Sequence, residues 1–249
     1  MGAIRDVVQK HLLQIIALLA MDAPRDHTLD SMQAAKLRVF RAMRPLEVTE
    51  IVRGQFAGYR EEPGVAAASH VETFVALCLH IDTPRWNGVP FYIRAGKRLP
   101  RTATEVMVRL KRPPHAVFDD TVAEDVNYFR FRLGPEVVIS LGARVKQLGE
   151  GMHGEGVELI ARNRSQRERL PYARLLGDAI RGDGSLFTRD DCVEAAWRVV
   201  DPVLSTIGGR ELAPPLIYAP GTWGPSAADG LVADRAGWDD PKALTSPPC

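Results

Sequence analysis

Between residues 70 and 162 the chain runs through short apolar stretches whose links carry no helix-length apolar period. TEVMVRLK sets Val106, Val108 and Leu110 on one side of an extended chain and Met107 and Arg109 on the other. VNYFRFRL does the same, turning Tyr128 and Arg130 away from Phe129 and Phe131. EVVISLGAR and GEGVELIARN supply two more such runs. HVETFVALCLHI (70–81) and VPFYIRAGK precede them, joined by a turn at Trp86-Asn87-Gly88. Parallel neighbours need a crossover of a dozen or more residues, usually a helix. The links here require an antiparallel sheet instead, with one covered face and one wetter face. A half-apolar wet face is also a surface on which a second subunit can pair.

Helical periodicity flanks this region. Ile4, Val8, Leu12, Ile15 and Leu19 recur at helical spacing over residues 3–22, and Pro24 ends the pattern. A second helix begins near Ser31 or Met32, carries Leu37, Phe40 and Met43, and ends at Pro45. Residues 50–55 read as a short strand, and GYREEPGV as a polar turn. PYARLLGDAIRGD has Pro171 at a first-turn position, followed by Leu175, Leu176 and Ile180. TRDDCVEAAWRVVDPVLSTI has Thr188 as N-cap and Asp191 as the capping-box acid. It buries Val193, Trp197 and Val200 and is disturbed at Pro202. The Gly/Pro-punctuated tail holds one short helix and frays from about 241 to 249. The fold class is α+β: a large, mainly antiparallel sheet with helices packed on one face.

A chain of 249 residues has room for one large domain or two small ones. Lys plus Arg of 32 against Asp plus Glu of 31 gives no overall field to draw nucleic acid or an anionic membrane. Tyr128–Arg132 alternates rings and cations as a base-stacking surface does, but the flat charge argues against nucleic acid. Cys78, Cys192 and Cys249 are few, odd in number and widely spaced, the pattern of reduced intracellular thiols, and Cys78 reads as core packing. The apolar run Leu12–Met21 is too short to span a bilayer, and no secretory leader is evident, so the expected location is cytoplasmic.

Two stretches carry candidate chemistry. His11 in the first helix is a base of the right strength near neutral pH, and Asp6 is a carboxylate near it. Five residues apart, they stand about 140° around an α-helix and do not stack, though both can flank one pocket. In FYIRAGKRLPR a strand ending at Gly96 puts Lys97, Arg98 and Arg101 at its mouth, a cation cluster suited to a phosphate. Neither GxGxxG before a helix nor GxxxxGK[ST] occurs. His153, between Glu150 and Glu155, has no second histidine at ligand spacing, so no metal is expected.

GAIRDVVQKHLLQ, GVPFYIRAGKRLP, PYARLLGDAIRGDGSLFTRDDCVEAAWRVVDPVL and YAPGTWGP, taken together and in this order, resemble the C-terminal part of glucose-6-phosphate dehydrogenase. The resemblance implies that 1–249 is the substrate-binding and dimerisation domain of an NADP-dependent enzyme of the oxidative pentose phosphate pathway. That enzyme converts D-glucose 6-phosphate to 6-phospho-D-glucono-1,5-lactone. It also implies roles: His11 as the general base for the C1 hydroxyl, Asp6 as a sugar contact, Lys97 as a substrate contact. Arg101 stands one residue before a cation the family often has, where this chain has Thr102. Lys10 replaces the asparagine usual before the base, and Arg53-Gly54-Gln55-Phe56 runs almost directly into Gly58-Tyr59-Arg60.

The family's N-terminal Rossmann domain has no counterpart here, nor has its Asp-His-Tyr-Leu-Gly-Lys segment. The resemblance therefore implies no NADP binding and no turnover by this chain alone. A separate N-terminal half is the implied partner, with homo-oligomerisation through the sheet. The alternative is a non-catalytic sugar-phosphate-binding or assembly module that associates with an intact enzyme or such a half.

Overall fold

The computed structural model describes residues 2–115, 117–118, 127–149, 151–162, 171–184, 187–204, 213–233 and 237–243. Glu150, Cys249 and the end of the tail from 244 lie outside them. Among the described residues are four α-helices: α1 (Leu13–Ala20), α2 (Leu29–Ala42), α3 (Pro171–Arg181) and α4 (Asp190–Val200). Eight strands accompany them: β1 (Ile51–Phe56), β2 (Phe74–Leu79), β3 (Phe91–Gly96), β4 (Thr104–Arg109), β5 (Tyr128–Gly134), β6 (Val138–Lys146), β7 (Gly154–Arg162) and β8 (Leu216–Tyr218). The α+β class with mainly antiparallel sheets holds, and the strands divide between two four-stranded sheets. The chain falls into two compact units, Met1–Pro100 with Arg169–Ala233, and Arg101–Glu168 with Asp234–Cys249.

In the first unit the strand order is β3-β2-β1-β8, antiparallel except for the β1–β8 pair. β2 is central and apolar throughout, as a strand covered on both faces must be, and every residue but Cys78 is buried. Val75, Leu77 and Leu79 share one core cluster with the first helix, α2 and α4. α2 starts earlier than expected, because the Thr28 hydroxyl accepts the Ser31 N–H at 3.2 Å and so caps it. The far end of α2 is satisfied by Arg198 of α4, whose guanidinium donates to the carbonyls of Phe40, Arg41 and Met43.

Two expectations for the later helices fail. α4 has Arg189, not Thr188, at its N-cap position, with no side-chain cap; the Asp191 carboxylate is taken by the Arg189 guanidinium instead. Its buried residues are Cys192, Ala196, Val199 and Val200, while Val193 and Trp197 are half-buried. In α3 the apolar Leu176 and Ile180 are exposed.

The second unit is a meander, β4-β5-β6-β7, antiparallel throughout. The register puts Val106 and Val108, Phe129 and Phe131, Ile139 and Leu141, and Val157 and Leu159 on one face. Arg130, Arg132, Glu105 and Ser140 occupy the other, so the expected alternation is present. Its sense is reversed: the charged face is the covered one, with Glu105 and Arg132 joined at 2.7 Å, and the apolar face is open. Residues 237–243 account for part of the cover, through Arg109–Asp239 and a bond from Arg132 to the Lys242 carbonyl.

Candidate functional site

The first helix begins where a buried carboxylate fixes it. Glu72, just before β2, accepts the Ile4 N–H through Oε1 at 3.0 Å, and its carbonyl accepts the Ala3 N–H at 3.0 Å. A negative charge at a helix N-terminus satisfies donors that have no partner within the helix and faces the positive end of its dipole. Arg53 of β1 stands 3.7 Å from the other Glu72 oxygen. A Cβ on Gly2 would lie 2.1 Å from Glu72 Oε1, so a larger residue there displaces the carboxylate from its capping position.

The helix then winds as nine residues of π-helix, Ile4–Leu12, before continuing as α1. This corrects the α-helical period. Buried positions run Ile4, Val8, Leu13, Ile16, Ala17 and Ala20, so from the second turn onward the face is displaced from Leu12, Ile15 and Leu19. The same winding changes the relation of the two candidate residues. In a π-helix i and i+5 are hydrogen-bonded neighbours one turn apart, so Asp6 and His11 fall on a shared face. Both are exposed, on the side away from Ile4 and Val8. Lys10 pairs with Asp6 at 3.2 Å, so its charge is partly compensated.

The π-helical stretch packs against β3, and β3 ends at Gly96-Lys97. Phe74 of β2 explains the glycines at this end: a Cβ on Gly54, Gly96 or Gly224 would come within about 3 Å of its side chain. The chain beyond Gly96 is held by its backbone. Lys97 N–H donates to the Thr73 carbonyl at 2.9 Å, and the Tyr218 hydroxyl donates to the Lys97 carbonyl at 2.6 Å. Gly221 N–H donates to the Arg98 carbonyl at 2.7 Å, and Arg98 itself takes a positive φ of 55°. Burial pushes the Tyr218 hydroxyl up, which keeps it a neutral donor at physiological pH.

This clamp leaves the three cations of the strand mouth in different states. Arg98 is engaged, 3.2 Å from Glu62 and over the Phe56 ring. Lys97 is exposed, and among the described residues its ammonium has no ion-pair partner. Arg101 is exposed at the first residue of the second unit. The structure thus brings the helix of Asp6 and His11 beside the strand that ends at Lys97.

Sequence reasoning missed the residues that hold this arrangement, namely Gly2, Arg53, Glu72, Thr73 and Tyr218. Glu72, Thr73 and Tyr218 lie in the stretches 70–74 and 218–225, and Gly2 and Arg53 in GAIRD and RGQF, all of them read for pattern and not for contacts. Among the described residues no group of three acidic, histidine or cysteine side chains is placed to hold a metal ion. No described helix is long and apolar enough to cross a membrane.

Comparison with known proteins adds the context for this geometry. The profile of the family described as "Glucose-6-phosphate dehydrogenase, C-terminal domain" matches residues 1–239. Glucose-6-phosphate 1-dehydrogenase 1 of Mycobacterium tuberculosis is 39% identical over 243 residues, which cover 96% of this chain and 50% of that protein. The Aggregatibacter actinomycetemcomitans glucose-6-phosphate 1-dehydrogenase is 38% identical over 263 residues, covering 98% of this chain and 52% of the relative. The crystal structure of the Mycobacterium avium enzyme superposes with a TM-score of 0.86 at 40% identity, over 98% of this chain and 52% of that one. A glucose-6-phosphate dehydrogenase in complex with its substrate glucose-6-phosphate superposes at 0.84 with 30% identity, over 97% of this chain and 51% of the other. The chain spans about half the length of the relatives it matches.

Proposed function

We propose a function from one premise: this chain belongs to the glucose-6-phosphate dehydrogenase family and represents its C-terminal part. In our reading it supplies the sugar-phosphate side of an NADP-dependent oxidation at C1 of glucose 6-phosphate, the product being 6-phosphogluconolactone. The observation that carries this is the shared outward face of Asp6 and His11, on a helix packed against the strand that ends at the exposed Lys97.

His11 takes the proton of the C1 hydroxyl, so that negative charge on that oxygen can drive hydride from the carbon. Asp6 accepts hydrogen bonds from sugar hydroxyls and orients the ring. Lys97 is the cation for the phosphate dianion, for which an exposed ammonium is a point-charge partner. The Glu72 cap and the Tyr218–Thr73 clamp hold the two elements still, and fixed geometry is worth orders of magnitude in rate.

NADP, the family's hydride acceptor, does not fit the residues present. None of the described helices follows a strand through a glycine-rich turn of the kind that cradles a pyrophosphate. The steps given to this chain are therefore binding, orientation and proton transfer. We expect no NADPH production by the chain alone, and turnover on adding a separately made dinucleotide-binding half. Steady-state assays of the mixture test this. The reading stands if turnover depends on both parts and His11→Ala removes it by more than about a thousandfold. NADPH formation by the chain alone, or a mixture indifferent to His11, sinks it.

The open apolar face of the second sheet favours a second, compatible reading, in which this chain also assembles with another copy or with an intact enzyme through that face. Oligomers that form without turnover in the same mixture favour the assembly module over the split enzyme.

A further inference from the structure

One face of β2 carries groups for which the proposed oxidation has no use. Cys78 and His80 are two residues apart along an extended chain, so their side chains share a side, the one opposite Leu77 and Leu79. Cys78 is not packed into the core as its apolar run suggested. It is half-buried, with Sγ 3.5 Å from Nε2 of His80. The same nitrogen is 3.7 Å from Oε1 of Glu50. Glu50 is held there by a capping box, in which Oε2 accepts the Glu47 N–H at 3.0 Å.

The carboxylate decides how the imidazole is used. A bare lone pair on Nε2 would face the carboxylate and repel it, so Nε2 carries the proton and faces Glu50 as a donor. A ring protonated at that nitrogen still accepts a second proton at Nδ1. With the thiol proton released to solvent and a second proton taken from solvent at Nδ1, the imidazolium presents its Nε2–H to the thiolate and the carboxylate, which both stand at that nitrogen. The remaining charged and titratable groups nearby are Tyr92, the cross-strand partner of Cys78, Arg94 one pair further along β3 over the Trp223 ring, and the Arg44–Asp82 pair beyond His80. Cys192 is fully buried, and burial pushes its thiol up despite the nearby Lys36 and Arg189.

We propose that Cys78 is a peroxide-reactive thiol, activated by His80 with Glu50 as its positioning residue, and that a hydroperoxide converts it to a sulfenic acid. The thiolate sulfur attacks one peroxide oxygen. The S–O bond forms as the O–O bond breaks, and the electron pair leaves on the far oxygen. That oxygen takes the proton held by His80 and departs as water when the reagent is hydrogen peroxide. Sulfur loses two electrons and the peroxide gains them, so the cluster needs no further reactant.

A thiol paired with an imidazolium gains ionised fraction but loses some nucleophilicity. For a pair of moderate strength the net gain over an ordinary thiol is about threefold at pH 7 and about tenfold at pH 6. The test uses the full chain with Cys249→Ser, reduced and then exposed to hydrogen peroxide with dimedone, with adducts located by peptide mass spectrometry. Iodoacetamide rates at Cys78 are measured at pH 6 and 7 for this protein and for His80→Gln.

The expected result is dimedone on Cys78 before Cys192, with His80→Gln slower by about tenfold at pH 6. Equal rates at pH 6 in the two proteins, or first reaction at Cys192, overturn the proposal. Protection of Cys192 shows in the same spectra whether the variant is folded. If it is not, the rate profile of the unsubstituted cluster decides. An ordinary thiol slows about tenfold from pH 7 to pH 6, and the paired one only about threefold.

Discussion

Val75, Leu77 and Leu79 of β2 are 0%, 0% and 1% exposed, whereas Phe129, Ile139 and Leu159 of the second sheet are 38%, 47% and 65% exposed. Both sets lie on apolar faces of four-stranded sheets. The difference lies in what covers them. In the first sheet the apolar face meets the first helix, α2 and α4. In the second sheet the covered face is the charged one, where Arg132, Glu105 and Arg130 pair with each other and residues 237–243 add Asp239 and the Lys242 carbonyl. Alternation along a strand fixes which residues share a face, but the burial of a face depends on the element that reaches it. An apolar face left open by one chain is a surface that association can cover.

Truncating matched leucines gives the widest separation between the two sheets. Leu77→Ala removes a fully buried side chain from the centre of the first sheet and is expected to cost about 3–5 kcal/mol. Leu159→Ala removes one that is mostly exposed and is expected to change the folding stability of the single chain by no more than about 0.5 kcal/mol. Urea denaturation of dilute protein measures both. Leu159→Lys, followed by sedimentation, then reports on association, and we expect it to shift oligomers towards single chains. Equal costs for the two alanine variants would mean that the second apolar face is already covered in the single chain, and the contrast between the sheets would fail.

Ion pairs give a smaller separation and test the charged face directly. Arg132 and Glu105 are each 7% exposed at the side chain and meet at 2.7 Å. Removing Arg132 takes the nearer cation from the buried Glu105 carboxylate and leaves only Arg130, 3.7 Å away, so Arg132→Met is expected to cost about 3 kcal/mol. Changing Glu105→Gln in the same chain should recover part of that loss, since the stranded charge is gone. A double variant no more stable than Arg132→Met alone would show that the cost is lost packing of the arginine stem and not an unpaired carboxylate.

The elements were legible where pattern and burial agree. β2, β3 and the four strands of the meander fall where their apolar runs place them, and Leu37, Phe40 and Met43 are buried as their spacing implies. The first helix was legible as a helix but not as a π-helix, because a winding change of this kind depends on packing and on how Glu72 and Gly2 start the chain, 68 residues apart in the Ile4–Glu72 bond. That winding is what brings Asp6 and His11 to one face. Thr188 lost the cap of α4 because Arg189 and Asp191 pair with each other, a choice between two local partners that spacing does not rank. Cys78 was misread for a related reason. Its run is apolar, yet the other side of β2 carries His80 two residues on, and Glu50 arrives from the segment before β1.

The exposed pair Arg44–Asp82 gives the smallest effect and the sharpest contrast with Arg132–Glu105. It ties the end of α2 to the end of β2, beside the Met43–Ile81 bridge, with Arg44 Nε 2.8 and 2.9 Å from the two carboxylate oxygens. The side chains are 55% and 52% exposed, so water and salt screen them. Hydrogen bonding from Arg44 holds the Asp82 carboxyl below its ordinary value. A carboxyl lowered in the folded state contributes stability above its unfolded value, and that contribution is lost as pH falls through the folded one. The melting temperature of the unsubstituted chain should therefore exceed that of Asp82→Asn slightly at pH 7. The gap should narrow below about pH 4 and close once Asp82 is protonated in both states. About 1 M salt should shrink it at pH 7 as well. A gap that survives both acid and salt would mean that the Asp82 side chain acts through packing or neutral hydrogen bonding and not through its charge, and the pair would then cease to be the screened counterpart of the buried one.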